Sequence, residues 1–523
     1  MDAGVSVRAF RLGIALCCAA VTAFLLARLT AWPPHEDETL ALLVGRDSLG
    51  GVLETVQGER GGAPLHFLLA WFVGLFGGGV GALRLFSAAF AVASIPVVGV
   101  LVARLAGRGA ALATCVVFSA SWMLLFHGIY ARMYSLFLFT SALSYLALLV
   151  ALERGGARRW ALWGLATIAM VAAHPYGALV VAAQGLFVLV TRARLREAVP
   201  AFGVVGLVGI PFWYTDLVLA RRFDVGVGGG GHKLRSPLDV LSYLAHTSGD
   251  FVAGWWGAVA AVLLLAALGL VWLARRNARA AVLVLCTFAV PTLAFLAARI
   301  GSSAAPESRH LIFTFPFFAL LVAAGIAALG RVARVVVPLA LAALVAAELA
   351  WAHQRTPLLF SGEPAARKAA RAEASAWLGR TGRADDVLFG YDPIFLGARS
   401  RTVVPRADPV LALRALRDAP HPLGRGVWIL DASDTNNFDP KPTIELRIPL
   451  PAAEFEARVF GPFLVIRTRR PVRTAERFLR DASSVMLTGK SLFLGDADVN
   501  FVTVRRAADQ LSRDADRSAS SSR

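Results

Sequence analysis

The sequence predicts a mostly α-helical, polytopic transmembrane bundle with a long first outer loop and a small C-terminal α/β domain outside the membrane. Three observations predict this fold class. The 523-residue chain is 57% hydrophobic and only 17% charged, whereas soluble domains carry about a quarter charged residues. Long apolar runs alternate with short arginine clusters up to about residue 355. The residues beyond that point are too polar to lie in a bilayer.

The formal net charge of +18 does not require a nucleic-acid partner, and none is predicted. Most of the arginines lie in short clusters between apolar runs, where the positive-inside rule accounts for them. The four cysteines all lie within apolar runs. They predict neither a metal site nor a disulfide framework.

The first apolar run, residues 10–31, is long enough to cross a bilayer. Its core exceeds the usual length of a signal-peptide core, and it is followed by Trp32-Pro33-Pro34 instead of a small-residue cleavage site. We therefore interpret it as a retained membrane anchor. Further apolar runs cover approximately residues 64–78, 82–103, 109–126, 134–152, 159–174, 176–191, 198–215, 251–273, 280–298, 311–329 and 332–352.

The run at 64–78 decides the topology. It has about 15 residues, fewer than the roughly 20 that a spanning helix needs. If it does not cross, six basic clusters fall on one side of the membrane, around Arg8, Arg104, Arg158, Arg194, Arg276 and Arg334. The positive-inside rule then predicts about eleven spans, a cytoplasmic N-terminus and an extracytoplasmic C-terminal domain. Segment 64–78 becomes a re-entrant or surface helix in the first outer loop.

This topology places most of the acidic, histidine and aromatic residues of the loops on the outer face. We therefore predict a site at the outer membrane surface. An alternative is that acidic residues simply avoid the positive inner loops. The outer loops are residues 32–62, 127–134, 174–176, 216–250 and 299–310.

The composition predicts three parts: a membrane domain at 1–355, an α/β domain at 356–505 and a disordered tail at 506–523. Residues 385–390 and 426–431 have the pattern of strands, and residues 409–417 have that of a helix. This β–α–β alternation is typical of a small α/β domain. The tail is rich in Asp, Arg and Ser, a composition of disordered segments.

The turn after the first span carries three consecutive carboxylates, at Glu36, Asp37 and Glu38. Acidic residues at the end of a membrane helix are costly unless they face water, and they often mark a functional site. An ordinary solvated loop is the alternative interpretation of this cluster.

Five short motifs resemble, in order and spacing, those of the GT-C glycosyltransferases that use polyprenyl-phosphate sugars. This superfamily includes protein O-mannosyltransferases, aminoarabinose transferases of lipid A and the RgtA/B/C/D-like group. The resemblance covers roughly residues 10–330. Many relatives carry an acidic residue where this chain has Tyr130. The matching motifs are Asp37-Glu38, Ala63-Pro64-Leu65-His66-Phe67, Ala82-Leu83-Arg84-Leu85-Phe86-Ser87-Ala88, Tyr130-Ala131-Arg132-Met133-Tyr134-Ser135-Leu136 and His174-Pro175-Tyr176-Gly177.

The resemblance implies a cell-membrane enzyme that transfers a sugar from a polyprenyl-phosphate donor to a hydroxyl of a glycan, lipid or protein acceptor. Such a transfer needs a base for the hydroxyl proton, and Asp37 is the candidate. Glu38 is the candidate orienting neighbour. If base and leaving group lie on opposite faces of the anomeric carbon, the transfer inverts its configuration. A divalent cation, if one is used, would bind Asp37 and Glu38; the residue at Tyr130 argues against a metal that bridges two loops.

Arginines suit the departing phosphate, because their planar fork binds it through two hydrogen bonds. Arg84 and Arg132 lie at predicted outer helix ends, against the positive-inside trend, and Arg309 lies with His310 before the tenth span. Snorkelling to lipid headgroups is the alternative for each arginine. The remaining candidate substrate-binding residues are Tyr130, His174 and His66, and each could instead be a packing or interface residue.

Two other classes of protein also contain many spans and polar patches. One is a transporter or flippase, which would show internal repeats and charges near the membrane midplane; neither is evident here. The other is a polymerase or ligase of lipid-linked polysaccharide, whose surface chemistry would be similar. The residues do not name the sugar or the acceptor.

Overall fold

The structure is a computed structural model. It describes residues 5–223, 234, 236–298, 306–329, 333–404, 415–417, 419, 422–431 and 455–471. Within these residues the chain forms two compact units. The helical unit ends at Gly362, and the second unit contains Pro33–Leu43 and the described residues from Glu363 onward.

Most of the chain before residue 224 is helical. Long apolar helices alternate there with shorter helices in the connecting segments. In order they are α1 (Val7–Arg28), α2 (Glu36–Gly45), α3 (Leu49–Thr55), α4 (Pro64–Leu75), α5 (Val80–Ala106), α6 (Arg108–Ala120), α7 (Trp122–Ile129), α8 (Tyr134–Arg154), α9 (Ala157–Ala173), α10 (Gly177–Thr191), α11 (Leu195–Val208) and α12 (Ile210–Phe223).

A second group of helices completes the helical unit and leads into the sheet. A 3₁₀ helix at Ser308–Thr314 runs directly into α16, and a π-helical turn at Val56–Arg60 follows α3. The α-helices of this group are α13 (Pro237–Phe251), α14 (Trp256–Arg276), α15 (Ala278–Ala298), α16 (Phe315–Ala328), α17 (Ala333–Arg355), α18 (Pro357–Ser361) and α19 (Ala365–Thr381).

The predicted polytopic helical fold is confirmed. In the described part of the chain, seven helices are long and apolar enough to cross a membrane, or up to nine if each of two bent pairs is one span. Each of the eleven apolar runs that are predicted to span, that is, all except 64–78, coincides with one helix or one bent pair. However, α9 and α10 have only 17 and 15 residues, so the number eleven stays a prediction.

Segment 64–78 forms the short helix α4. Its 12 residues correspond to a length of about 18 Å, well short of the roughly 30 Å of a hydrocarbon core. Pro64 at its first turn begins the helix, and Gly77, with a positive φ of 66°, follows its end. This agrees with the predicted non-spanning segment.

A break at Ser121 bends the pair α6 and α7 by 54°. The backbone of Ser121 is extended, and its hydroxyl accepts a hydrogen bond from the backbone N–H of Met123, which caps α7. The same hydroxyl donates to the carbonyl oxygen of Phe251 at the end of α13. Because both hydrogen bonds pair the Ser121 hydroxyl with backbone groups, the bend does not leave that hydroxyl unpaired inside the apolar bundle.

Helices α14 and α16 approach each other to backbone contact. A Cβ atom at Gly269 would overlap the carbonyl oxygen of Leu321, and one at Gly325 would overlap that of Leu265. Small residues at such crossings let membrane helices pack closely. This crossing therefore requires glycine on both helices.

The second unit contains a five-stranded sheet in the order β2-β1-β3-β5-β4. Strand β1 pairs in parallel with β2 and β3, while β5 pairs antiparallel with β3 and β4. Helix α19 packs on the sheet through Ala374, Trp377 and Leu378. The strands are β1 (Val387–Phe389), β2 (Val403–Val404), β3 (Gly426–Asp431), β4 (Phe455–Phe460) and β5 (Phe463–Thr468).

The predicted small α/β domain is confirmed. The two strands predicted from the sequence, at 385–390 and 426–431, correspond to β1 and β3. Of the helix predicted at 409–417, only residues 415–417 are described, and they are helical. The predicted disordered tail at 506–523 lies outside the described residues. The domain boundaries at 355 and 505 stay predictions.

Candidate functional site

In the acidic turn after α1, the carboxylates of Asp37 and Glu38 differ in their exposure to water. His35 precedes α2 and its backbone N–H donates to Glu38 Oε2 (2.9 Å), while its Nδ1 accepts from the backbone N–H of Asp37 (3.1 Å). These bonds cap the first turn of the helix, where unpaired N–H groups require partners. Glu38 is fully buried, whereas the Asp37 side chain is 33% exposed. Of the pair Asp37 and Glu38, Asp37 is therefore the carboxylate that water and a hydroxyl can reach.

Arg84 is buried near the end of α1. Its Nη1 donates to the carbonyl oxygens of Leu29 (3.0 Å) and Trp32 (2.7 Å). The last carbonyls of a helix lack partners within it, and a cation there also suits the helix dipole. These contacts give Arg84 a structural role, and its predicted binding of phosphate stays a prediction.

The loop between α7 and α8 brings aromatic rings to one place. It turns tightly, because the backbone N–H of Arg132 donates to the carbonyl oxygen of Tyr130 (2.7 Å). Tyr130 and Tyr134 are buried, and Arg132 is half-buried. The ring of Tyr134 lies 5.7 Å from that of His174 and 6.0 Å from that of His310.

His174 follows α9 and lies within this cluster. Its ring stacks on Phe137 at 4.6 Å, and its Nδ1 accepts from the backbone N–H of Tyr176 (3.1 Å). The ring proton is therefore on Nε2, where it can be donated. Burial, together with the nearby charges of Arg132 and Arg309, lowers the pKa of His174 to about 3. The imidazole is thus a neutral donor beside two guanidinium groups.

Arg309 lies on the 3₁₀ helix before α16, with its Cζ 5.2 Å from the centre of the Tyr134 ring. Its Nη2 donates to Glu307 Oε1 (2.6 Å), so one acid partly balances its charge. His310 Nδ1 accepts from the backbone N–H of Glu307 (3.0 Å), which fixes the turn. The ring of His310 lies 5.7 Å from that of His174. Arg309 and His310 thus join the cluster, as their sequence positions suggested.

Residues that the sequence did not indicate hold the 307–310 turn. The hydroxyl of Tyr243 donates to the carbonyl oxygen of Glu307 (3.1 Å), and that of Ser308 donates to Asp250 Oδ2. Arg355 Nη2 lies 3.7 Å from the same carboxylate oxygen. Tyr243 and Asp250 belong to α13, and Arg355 ends α17. No sequence motif marks them, because they act through contacts between distant segments.

The structure therefore gathers four of the predicted residues, Tyr130, Arg132, His174 and Arg309, into one cluster. His66 lies on α4, buried, with its ring 6.0 Å from that of Phe67, and its predicted substrate role stays a prediction. Within the described residues no group of three or more His, Cys, Asp or Glu side chains is arranged to hold a metal ion.

This cluster has the chemistry of an anion site. Two arginines supply positive charge and paired N–H donors, and a neutral histidine supplies a further donor. Both arginines are half-buried among these rings, and partial burial strengthens electrostatic interactions with a bound group. The Tyr176 phenol stays protonated, because burial raises its pKa well above the ordinary value.

Solved structures show what this fold is similar to. The chain resembles two crystal structures of ArnT from Cupriavidus metallidurans, one bound to undecaprenyl phosphate and one in the apo state. Both comparisons give a TM-score of 0.57, and the matched region covers 87% of this chain and 97% of the ArnT chain. The sequence identity is 14% to the bound structure and 15% to the apo structure. No protein-family model matches the sequence, and no curated protein does. The fold implied by the resemblance to GT-C enzymes is thereby confirmed.

Proposed function

We propose that the protein is an integral membrane glycosyltransferase that transfers a sugar from a polyprenyl-phosphate donor to an acceptor hydroxyl. The observation that carries this proposal is that the charges of Arg132 and Arg309 both lie near the buried ring of His174, in a cluster of aromatic and histidine rings. A lipid phosphate is an anion that such a cluster suits. The similar fold of ArnT, which in one structure binds undecaprenyl phosphate, supports the choice of donor.

Asp37 is the proposed general base. Its carboxylate accepts the proton of the acceptor hydroxyl as the hydroxyl oxygen forms a bond to the anomeric carbon. The bond from that carbon to the phosphate oxygen breaks on the opposite face, and the phosphate keeps the electron pair. This single displacement inverts the configuration, as in inverting glycosidases. Glu38, held by its bond to the backbone of His35, orients the turn that carries Asp37.

Arg132 and Arg309 stabilise the phosphate as its charge increases. Fixed positive groups aimed at a developing charge lower the barrier most when no reorganisation is needed. Arg309 is pre-oriented by Glu307 and by the face of Tyr134. A phosphate leaving group needs charge stabilisation more than protonation, so the neutral His174 serves as a hydrogen-bond donor.

We place this chemistry at the outer face of the cytoplasmic membrane, with the N-terminus inside and the C-terminal unit outside. The positions of the arginine clusters support this orientation. A reporter fused after Arg523 is expected to be active only outside the cytoplasm. Activity only in the cytoplasm would contradict the proposed orientation.

A turnover assay tests the function. The purified protein is incubated with a polyprenyl-phosphate sugar and a hydroxyl acceptor, and release of free polyprenyl phosphate is measured. Release that requires acceptor supports the transferase. A protein that moves an unmodified solute across vesicles without turnover is a transporter or flippase. A protein that transfers only whole lipid-linked polysaccharide chains is a polymerase or ligase.

A further inference from the structure

His127, in the last turn of α7, is enclosed by aromatic rings. Its side chain lies 4.8 Å from the ring of Tyr134, 5.2 Å from Phe126, 5.8 Å from Trp122 and 6.1 Å from Tyr130, measured between ring centres. The residue is 1% exposed. Its surroundings are those of an apolar core position.

Packing alone does not explain an imidazole at this position. Neither ring nitrogen of His127 has a hydrogen-bond partner among the residues that the structure describes. Buried polar side-chain atoms are nearly always paired, and leaving one unpaired destabilises a fold. The backbone is fixed independently, since the carbonyl oxygen of His127 accepts from the hydroxyl of Ser135 (2.6 Å). A phenylalanine would fill the same space without this cost.

The imidazole lies beside the proposed phosphate site. The Tyr134 ring is a neighbour of both groups: its centre is 4.8 Å from that of His127 and 5.2 Å from Arg309 Cζ. Arg309 is half-buried, while His127 is closed off. The two side chains therefore border the same ring, that of Tyr134.

We propose that His127 is a substrate-binding residue that donates a ring N–H to an oxygen of the donor headgroup. An imidazole offers at least one N–H in every protonation state, and both phosphate and sugar oxygens accept. The ligand thus supplies the partner that the described residues do not. This inference rests on the proposed function and adds His127 to its binding residues.

His127→Phe tests the proposal, because it keeps the ring and the packing and removes both nitrogens. We expect the KM for the donor to rise at least about tenfold, since a hydrogen bond to the substrate is lost. The thermal unfolding midpoint of the free protein should stay the same or rise, since two unpaired polar atoms are removed. His127→Gln and His127→Asn place an amide near Nε2 and Nδ1 respectively, so the variant that restores the KM identifies the donating nitrogen.

Two ligands distinguish the accepting oxygen. If the oxygen belongs to the phosphate, His127→Phe weakens binding of undecaprenyl phosphate itself and of the sugar-bearing donor alike. If it belongs to the sugar, only the sugar-bearing donor is affected. Ser141→Ala is the matched control. The Ser141 hydroxyl in α8 is another buried group without a hydrogen-bond partner in the described chain, and its loss should leave the donor KM unchanged.

A parent-like donor KM in His127→Phe, together with unchanged binding of undecaprenyl phosphate, would overturn the proposal. That result differs from failure of the proposed function, in which the parent protein itself neither binds undecaprenyl phosphate nor releases it from a donor. Equal KM increases in His127→Phe and Ser141→Ala would also overturn it, since the effect would then follow from repacking of the bundle.

Discussion

The turn after α1 and the cluster around Tyr134 contain the same kinds of side chain but use them differently. At the turn, Arg84 of α5 donates to two backbone carbonyls, and Glu38 accepts from the backbone N–H of His35. In the cluster, Arg309 lies over the Tyr134 ring and His174 presents an Nε2–H. Residue type alone therefore does not predict the role of a side chain. The groups that it contacts, backbone in the turn and aromatic rings in the cluster, distinguish the structural role of Arg84 from the ligand-binding role that we propose for Arg309.

The largest expected effect separates the two acids of the turn. Asp37→Asn keeps the shape of the side chain and removes the base, so kcat should fall by about 10²–10⁴-fold. Glu38→Gln keeps an oxygen for the N–H of His35 and should lose far less. Turnover of both variants is measured with a polyprenyl-phosphate sugar at equal protein concentration. Near-normal turnover in Asp37→Asn would remove Asp37 from the catalytic role.

Substitutions at Arg132 test the cluster as a phosphate site. Arg132→Lys keeps the charge but loses the planar fork, so it should not restore function to the level of the parent. We expect a loss in kcat/KM of about 10²–10³-fold in Arg132→Ala, part of it in donor affinity, because the phosphate is charged before and during transfer. Donor titration of both variants is the measurement. Parent-like kinetics in the lysine variant would indicate snorkelling to headgroups instead.

The support of the 307–310 turn should contribute less. Asp250→Asn keeps the size of the side chain and removes the charge that faces Arg355 and accepts from Ser308. Because a charged hydrogen bond is lost, we expect about a tenfold fall in kcat/KM, mainly through a higher donor KM. Ser308→Ala, which removes the donor to the same oxygen, is the matched variant. The interpretation is wrong if both variants keep the donor KM of the parent.

Arg84 should affect stability more than binding. Arg84→Leu leaves the carbonyl oxygens of Leu29 and Trp32 without this donor, which should lower the free energy of unfolding by about 1–3 kcal/mol. Thermal unfolding in detergent measures the change, and donor titration of the same variant completes the comparison. A rise in donor KM like that of the Arg132 variants would instead group Arg84 with the cluster.

The last expected effect concerns the dependence of stability on pH. The pKa of His174 is about 3 in the folded protein and about 6.5 in an unfolded chain. Between these values the unfolded chain binds more protons, so stability falls as the pH decreases from about 6.5. The slope contributed by one group is at most about 1.4 kcal/mol per pH unit. His174→Gln should flatten the dependence of the unfolding midpoint on pH between 4 and 6, and an unchanged profile would contradict this assignment.

Much of the fold could be predicted because a bilayer restricts what the chain can do. Apolar runs must become helices, since every backbone group needs a partner in lipid. Arginine positions predict that 64–78 does not span, and the 12 residues of α4 are consistent with this prediction. The break at Ser121 was not predicted, because it depends on a hydrogen bond to Phe251, which is 130 residues away in sequence.

The site could be predicted only in part, because some of its contacts also join segments that are distant in sequence. Motifs around Arg132, His174 and Arg309 lie at helix ends, where the chain order already suggests proximity. Asp250 and Tyr243 bind the 307–310 turn from another helix, and nothing in their local sequence indicates this. The interest of His127 follows from its ring nitrogens, which have no hydrogen-bond partner among the described residues, and only the three-dimensional packing reveals this.

The glycine crossing of α14 and α16 has a consequence for biogenesis. Helix α16 continues from the 3₁₀ helix that carries Arg309, and 89% of the most apolar part of Ser308–Ala328 is buried in the protein. A helix this hydrophobic can enter the lipid on its own during synthesis, and its later transfer from lipid to protein gains little from hydrophobicity. Close backbone packing at Gly269 and Gly325 supplies that preference. Correct assembly of the bundle, and with it the placement of Arg309, thus depends on two residues without side chains.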